Sequence, residues 1–244
     1  MKFALMQPYF FPYLGYFSLI HSVDHFMFFN DVQFTKKSWM SRNRLLNIEK
    51  KEPFYIRPDI VKPKYRELLP NVKLDDSVKW REKIFQQIKG YKNKAPYYQE
   101  TLDFLESLLS KDYAGLADLN IRTTMELATY MSIETKFDKY TDHDFWFNEK
   151  PGIGDWGRVV AAKVKATEYI NSPGGESFIL HEEFDELGIQ LSFIKPDLQK
   201  YWQGGGEFIA GLSIIDVLMF NGREQTAEMV RKYSIKRGRD TSIS

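Results

Sequence analysis

The chain has 244 residues, of which 43% are hydrophobic and 16% aromatic, with 34 Lys or Arg against 33 Asp or Glu and no cysteine. That length and apolar content are enough for a real core, in one large α/β domain or a domain with a helical annex. The absence of cysteine excludes a disulfide framework, a thiol nucleophile and a cysteine-ligated metal.

In chain order, residues 2–6 read as a short buried strand and residues 8–15 as a turn rich in proline and glycine. Residues 16–23 read as a two-turn helix and residues 25–29 as a second buried strand. Strand, turn, helix and strand make a βαβ unit, with parallel strands and a right-handed crossover. Ligands bind such sheets outside the C-terminal strand ends, where residues 7–16 and 30–37 both emerge. Residues 54–60 continue as a strand that Pro58 marks as an edge, and residues 72–74 as another short one. Asp75, Asp76 and Ser77 cap a helix over residues 78–90, and amphipathic spacing extends helices over 97–110 and 113–131, a helical lobe. A strand at 133–137 returns the chain to the sheet. The loop 152–157 leads to a helix at 158–166 and a strand at 168–171. A short helical piece at 184–187, a last strand at 189–194 and a helix starting at 213–219 follow, and the polar tail 237–244 frays. The expectation is one α/β domain over residues 1–244, its N-terminal βαβ unit part of a parallel or mixed sheet.

The apolar run 10–20 is interrupted by proline, glycine and tyrosine, so it is neither a signal peptide nor a membrane span, and a soluble cytoplasmic protein is expected. Most of the aromatic residues feed a core. Tyr9, Tyr13, Tyr16 and Trp39 instead cluster beside prolines and Gly15, away from any helical stripe, as rings lining a pocket for a sugar or a base. Charge is uneven as well. Residues 35–66 carry ten Lys or Arg against three acids, a local balance of +7 in a chain whose net charge is +1. Lys50, Lys51, Lys62 and Lys64 suit either a solvated basic face or contacts to an anionic ligand. Lys36, Lys37, Arg42 and Arg44, interleaved with Trp39 and Asn43, suit an anion such as a diphosphate, which arginine forks bind in a bidentate way.

The strings Met6-Gln7-Pro8-Tyr9-Phe10-Phe11-Pro12-Tyr13-Leu14-Gly15-Tyr16, Asn30-Asp31-Val32-Gln33-Phe34, Lys36-Lys37-Ser38-Trp39 and Arg42-Asn43-Arg44 resemble the WbqC-like family of bacterial proteins from O-antigen and other surface-polysaccharide gene clusters. Residues 165–175, ending in Asn171-Ser172-Pro173-Gly174-Gly175, are similar to that family's central strand and glycine turn, and residues 212–222 to its C-terminal block. The resemblance implies glycine transfer onto an amino sugar. A second resemblance concerns layout: residues 11–20, after a strand and opening a helix, are similar to the His-x-Gly-His loop of nucleotidyltransferases and pantothenate synthetases, in a Rossmann-like sheet. Tyr13 and Tyr16 stand where those enzymes have histidines, so Lys36, Lys37 or Arg42 would have to supply positive charge.

From these readings Asp31, Tyr9 and Gln7 form the expected catalytic set, with Asp31 or Tyr9 taking the proton of an attacking amine. Tyr13, Gly15, Tyr16, Asn30, Lys36, Lys37, Trp39, Arg42, Asn43 and Arg44 form the expected binding wall. Asn171, Gly174, Gly175, Gln203 and Asp216 close the opposite side. The expected partner is a small anionic molecule, a nucleotide sugar, with ATP or glycyl-tRNA as the source of the acyl group. Neither DNA nor a membrane is expected as a partner. No metal is expected: Asp142-His143-Asp144 reads as a turn, and His21 and His25 as packing or capping residues. Gly204-Gly205-Gly206 and Gly152-Ile153-Gly154 lack the strand-turn-helix frame of a dinucleotide fingerprint. Two functional classes stay open, an aminoacyl transferase and a non-catalytic nucleotide-sugar-binding protein.

Overall fold

A computed structural model describes residues 1–147, 151–152 and 154–237. The chain begins β1 (Lys2–Met6), α1 (Leu14–His21) and β2 (His25–Phe28), the expected βαβ unit, with β1 and β2 parallel. β3 (Asn43–Asn47) and β4 (Glu52–Ile56) then form an antiparallel hairpin outside the main sheet. Helices α2 (Trp80–Ile88), α3 (Tyr98–Leu109) and α4 (Leu116–Tyr130) fill the expected lobe. The chain returns through β5 (Lys136–Lys139), α5 (Asp155–Lys163), β6 (Glu168–Asn171), α6 (His181–Asp185) and β7 (Gln190–Pro196), and ends in α7 (Ile214–Val230) and β8 (Tyr233–Arg237).

The main sheet has six strands in the order β5-β2-β1-β6-β7-β8, of which only β8 runs antiparallel to its neighbour. Side chains alternate across it. Ala4, Phe26, Phe28, Ile170 and Ile194 face one core, where α1 and α7 pack. Phe3, Leu5, Met27, Tyr169, Leu191 and Phe193 face the other, beneath α5 and α6. Helices on both faces explain why the central strands read as unbroken apolar runs. The chain lays down β1, β2 and β5 in one direction, then crosses back over β1 to place β6 and β7 on its other side. The strand order therefore reverses between β1 and β6, and a crevice opens at the carboxyl ends of such a pair.

Several boundaries differ from the sequence reading. α1 starts at Leu14 because Tyr13 stays extended as its N-cap, with ψ 167°. The strand expected at 54–60 stops at Ile56, before Pro58, and β3, its partner, carries too short a pattern to be read alone. The strand expected at 72–74 is reduced to one bridge, Ile60 to Leu74. β7 is not the last strand: β8 is a mostly exposed edge that lacks an apolar run, and its pairing makes the sheet mixed. Arg237, placed in the expected tail, closes β8, and the rest of that expected tail, 238–244, lies outside the described residues. Inside α7, Gly222 adopts φ 69°, and the Tyr97 ring occupies the place of a Cβ there, 2.6 Å from where one would stand. Among the described residues, no helix is long and apolar enough to cross a membrane.

Candidate functional site

Two adjoining cavities sit at the carboxyl ends of β1 and β6. The wider, of about 600 Å³, is bordered by Gln7 and Tyr9 after β1, Asp31 after β2, Asn171 at the end of β6, and Gly174 and Gly175 after it. The narrower, of about 340 Å³, is bordered mainly by Tyr9, Tyr13, Gly15, Tyr16, Trp39 and Asn43. Met6, Tyr9 and Ser172 belong to both walls, so the two form one crevice. Tyr13 and Gly174 thus stand around the same opening.

The loop between β1 and α1 is held from four directions. Asn43 donates from Nδ2 to the carbonyls of Phe10 at 3.0 Å and Phe11 at 2.7 Å. Asn120 donates to those of Pro8 and Met40. Ser213 Oγ donates to Phe11 O at 2.8 Å, and the Phe10 amide donates to Trp39 O at 2.8 Å. Phe11 itself sits at φ 41°, a left-handed conformation that costs a phenylalanine about 1–3 kcal/mol. Two donors on its carbonyl and a fully buried ring hold it there. Gly15 lies in the helix at an ordinary φ, so backbone freedom is not its purpose. A Cβ there would stand 2.5 Å from the Tyr13 ring, so glycine lets that ring lie over the helix start and shape the narrower cavity.

Burial raises the Tyr9 hydroxyl above its usual range, with Tyr13 adding to it, and raises Tyr13 as well. Tyr16 is pushed up further, again by burial first, and its hydroxyl donates to Gln7 O at 2.8 Å. All three phenols therefore favour the protonated form, and Tyr16 uses its proton in that hydrogen bond. That corrects the expectation that Tyr9 takes a proton. Asp31 is exposed in the wall of the wider cavity.

The structure divides the remaining expected residues. Asn30 is buried and satisfied, donating to Thr141 Oγ1 at 2.8 Å and accepting from the Thr141 amide. Asn43 lines the narrower cavity, but its amide holds the loop. Arg44 lies over Trp39, 5.5 Å from the ring centroid, and donates to Gly211 O. Lys36, Lys37 and Arg42 border a different cavity altogether. Gln203 and Asp216 line neither part of the crevice. Both are buried in one cluster, where Asp216 accepts from the hydroxyls of Tyr91 and Tyr201 and from Gln203 Nε2. Gln203 also exchanges two hydrogen bonds with Ile209, tying down the loop after β7.

The sequence reading missed Gly154, Trp156, Gly157 and Phe178, which border the wider cavity. The signal was present in the glycine-rich loop 152–157, set aside for lacking a dinucleotide fingerprint; Ile153 in that loop lies outside the described residues. Among the described residues no three His, Asp or Glu groups are placed to hold a metal. In the Asp142-His143-Asp144 turn, Asp142 pairs with Lys139 and His143 approaches Asp138 at 3.4 Å.

Residues 7–228 match the model of the WbqC-like protein family. The chain is also 27% identical over 225 residues to the uncharacterized protein Rv1507c of Mycobacterium tuberculosis, an alignment that covers 91% of this chain and 95% of that one. No solved structure matches the chain.

Proposed function

The chain belongs to the WbqC-like protein family, and from that premise and the crevice at its strand ends we propose a transferase of surface-polysaccharide biosynthesis that links glycine to the amino group of a nucleotide-linked sugar. The observation that carries this reading is the pair of cavities sharing Tyr9 as a common wall, since amide formation needs two substrates side by side. The wider cavity, with Gln7, Asp31 and Asn171 around it, suits an amino sugar. The narrower one, walled by Tyr9, Tyr13 and Trp39, suits a flat ring such as a base.

In this reading the amine nitrogen attacks the glycyl carbonyl carbon while Asp31 takes the amine proton. The protonated Tyr9 hydroxyl donates to the carbonyl oxygen as charge gathers there. The bond to the activating group, an adenylate or the terminal hydroxyl of a tRNA, then breaks. The test is to incubate the protein with glycine, ATP and a panel of nucleotide amino sugars, and to look for the mass of a glycyl adduct. A parallel incubation with charged glycyl-tRNA separates the two donors. Adduct is expected with the wild-type protein and not with Asp31→Asn. A nucleotide sugar bound in calorimetry, with no adduct under either donor, would decide for a non-catalytic binding protein.

A further inference from the structure

Residues 34–42 and 57–63 enclose a separate cavity of about 370 Å³, none of whose lining residues borders the crevice. Its wall carries five cationic side chains, Lys36, Lys37, Arg42, Arg57 and Lys62, and one carboxylate, Asp59. That carboxylate is already paired with Lys83 at 2.9 Å, and among the described residues none of the five has a carboxylate within ion-pair distance. Five like charges around so small a space repel one another, and an anion between them relieves that repulsion.

Arg42 carries its guanidinium over the Tyr55 ring, 3.9 Å from the centroid, and its buried Nε has no hydrogen-bond partner. A buried donor left unpaired is unfavourable, and a ligand oxygen would satisfy it. The cavity also continues past Arg42, Arg57 and Asp59 into a neighbouring one of about 660 Å³, where Lys79 and Lys83 are paired with Glu82 and Asp59. The two arginines therefore stand where the spaces meet. A single carboxylate would engage one of these cations, whereas a run of phosphates can engage several at once, with arginine forks taking two oxygens each.

We propose that this cavity binds a ligand with two or more phosphate groups, at a site distinct from the crevice. The proposal stands whether or not the crevice is catalytic. Sequence alone left Lys62 between a solvated face and an anion site and left Arg57 unassigned; both line this cavity together with Lys36 and Lys37. The phosphates come either from a free nucleoside polyphosphate or from a stretch of nucleic-acid backbone, and one experiment separates the sources.

Pyrophosphate is titrated calorimetrically into the full-length protein, and a labelled single-stranded RNA oligonucleotide is followed by fluorescence anisotropy, each at two salt concentrations. At least one probe is expected to bind at low salt. Arg57→Ala should weaken it roughly tenfold or more and Lys62→Ala less, with unchanged melting because both side chains are exposed. Lys50→Ala, which removes an exposed lysine outside the cavity, should leave affinity unchanged. Tight RNA binding with a steep salt dependence identifies a phosphodiester chain as the source, and pyrophosphate binding alone identifies a small polyphosphate. No binding of either probe overturns the proposal, as does unaltered affinity in the Arg57→Ala/Lys62→Ala double variant. Equal weakening by Lys50→Ala also overturns it, because that marks unspecific attraction.

Discussion

The strand-end crevice and the Asp216 cluster are both built around an acid, and they differ in what surrounds it. Asp31 is exposed beside a cavity and has no hydrogen bond to the described residues. Asp216 is fully buried and accepts from two tyrosine hydroxyls at 2.5 Å and one amide at 3.3 Å. A polar group whose partners are all supplied by the protein has no valence left for a ligand, whereas one facing open space does. Asp216 therefore holds the fold, whereas Asp31 is left open to the cavity. Substitutions should therefore separate the two regions, one acting on stability and the other on binding.

The largest effect is expected at Asp216. Asp216→Ala leaves two buried hydroxyls and the Gln203 amide short of their acceptor, and should cost roughly 3 kcal/mol or more in urea unfolding. Asp31→Ala should stay within about 0.5 kcal/mol of wild type while abolishing adduct formation. Equal stability loss at both sites would erase the contrast.

The pH dependence sharpens it. Burial pushes the Asp216 carboxyl up to about 6 from an ordinary 3.8, against the pull of its three side-chain donors. The folded state therefore favours the protonated acid. The stability this contributes is fully present below pH 3.8 and is lost as pH rises through about 6, a difference on the order of 3 kcal/mol. His25 acts the other way: burial holds its imidazole below the ordinary 6.5, although Asp138 lies 2.8 Å away. Its contribution is complete above pH 6.5 and lost as pH falls below that. Comparing unfolding of wild type and Asp216→Asn from pH 4 to 7 isolates the acid's share. A difference between the two that does not change with pH would contradict the buried-carboxyl account.

At Gly15 the two readouts should part within one residue. Gly15→Ala forces the Tyr13 ring aside, but that ring is the free end of a side chain facing a cavity. Stability should move by less than about 1 kcal/mol, near the helix-propensity difference itself, while nucleotide-sugar affinity falls. A melting temperature lowered by many degrees with affinity retained would place Gly15 in the structural region instead. The smallest change is expected for Tyr9→Phe, which keeps the ring and removes a hydroxyl that bonds no described residue. Stability should shift by no more than about 0.5 kcal/mol, and adduct formation should slow while sugar binding persists. Unimpaired turnover would remove Tyr9 from the chemistry.

What the sequence determined by itself is the part governed by neighbours along the chain. The apolar runs at residues 2–6 and 25–29, separated by one short helix, admit little besides a parallel βαβ unit. That unit alone sends Gln7, Tyr9 and Asp31 to one edge of the sheet, and the strand over Glu168–Asn171 brings Asn171 to Gly175 beside them. The tertiary structure decided which polar residues have partners and which way each loop residue faces. Loop 30–43 looked like one basic-aromatic wall; folded, it sends Asp31 and Trp39 to the crevice, Lys36, Lys37 and Arg42 to a second cavity, and Asn30 and Asn43 into hydrogen bonds. Asp216 finds Tyr91 across 125 residues of sequence and Asn30 finds Thr141 across 111. Periodicity records which side of a strand or helix a residue faces, but a hydrogen-bond partner that distant is set by how the whole chain packs, and local pattern carries no trace of it.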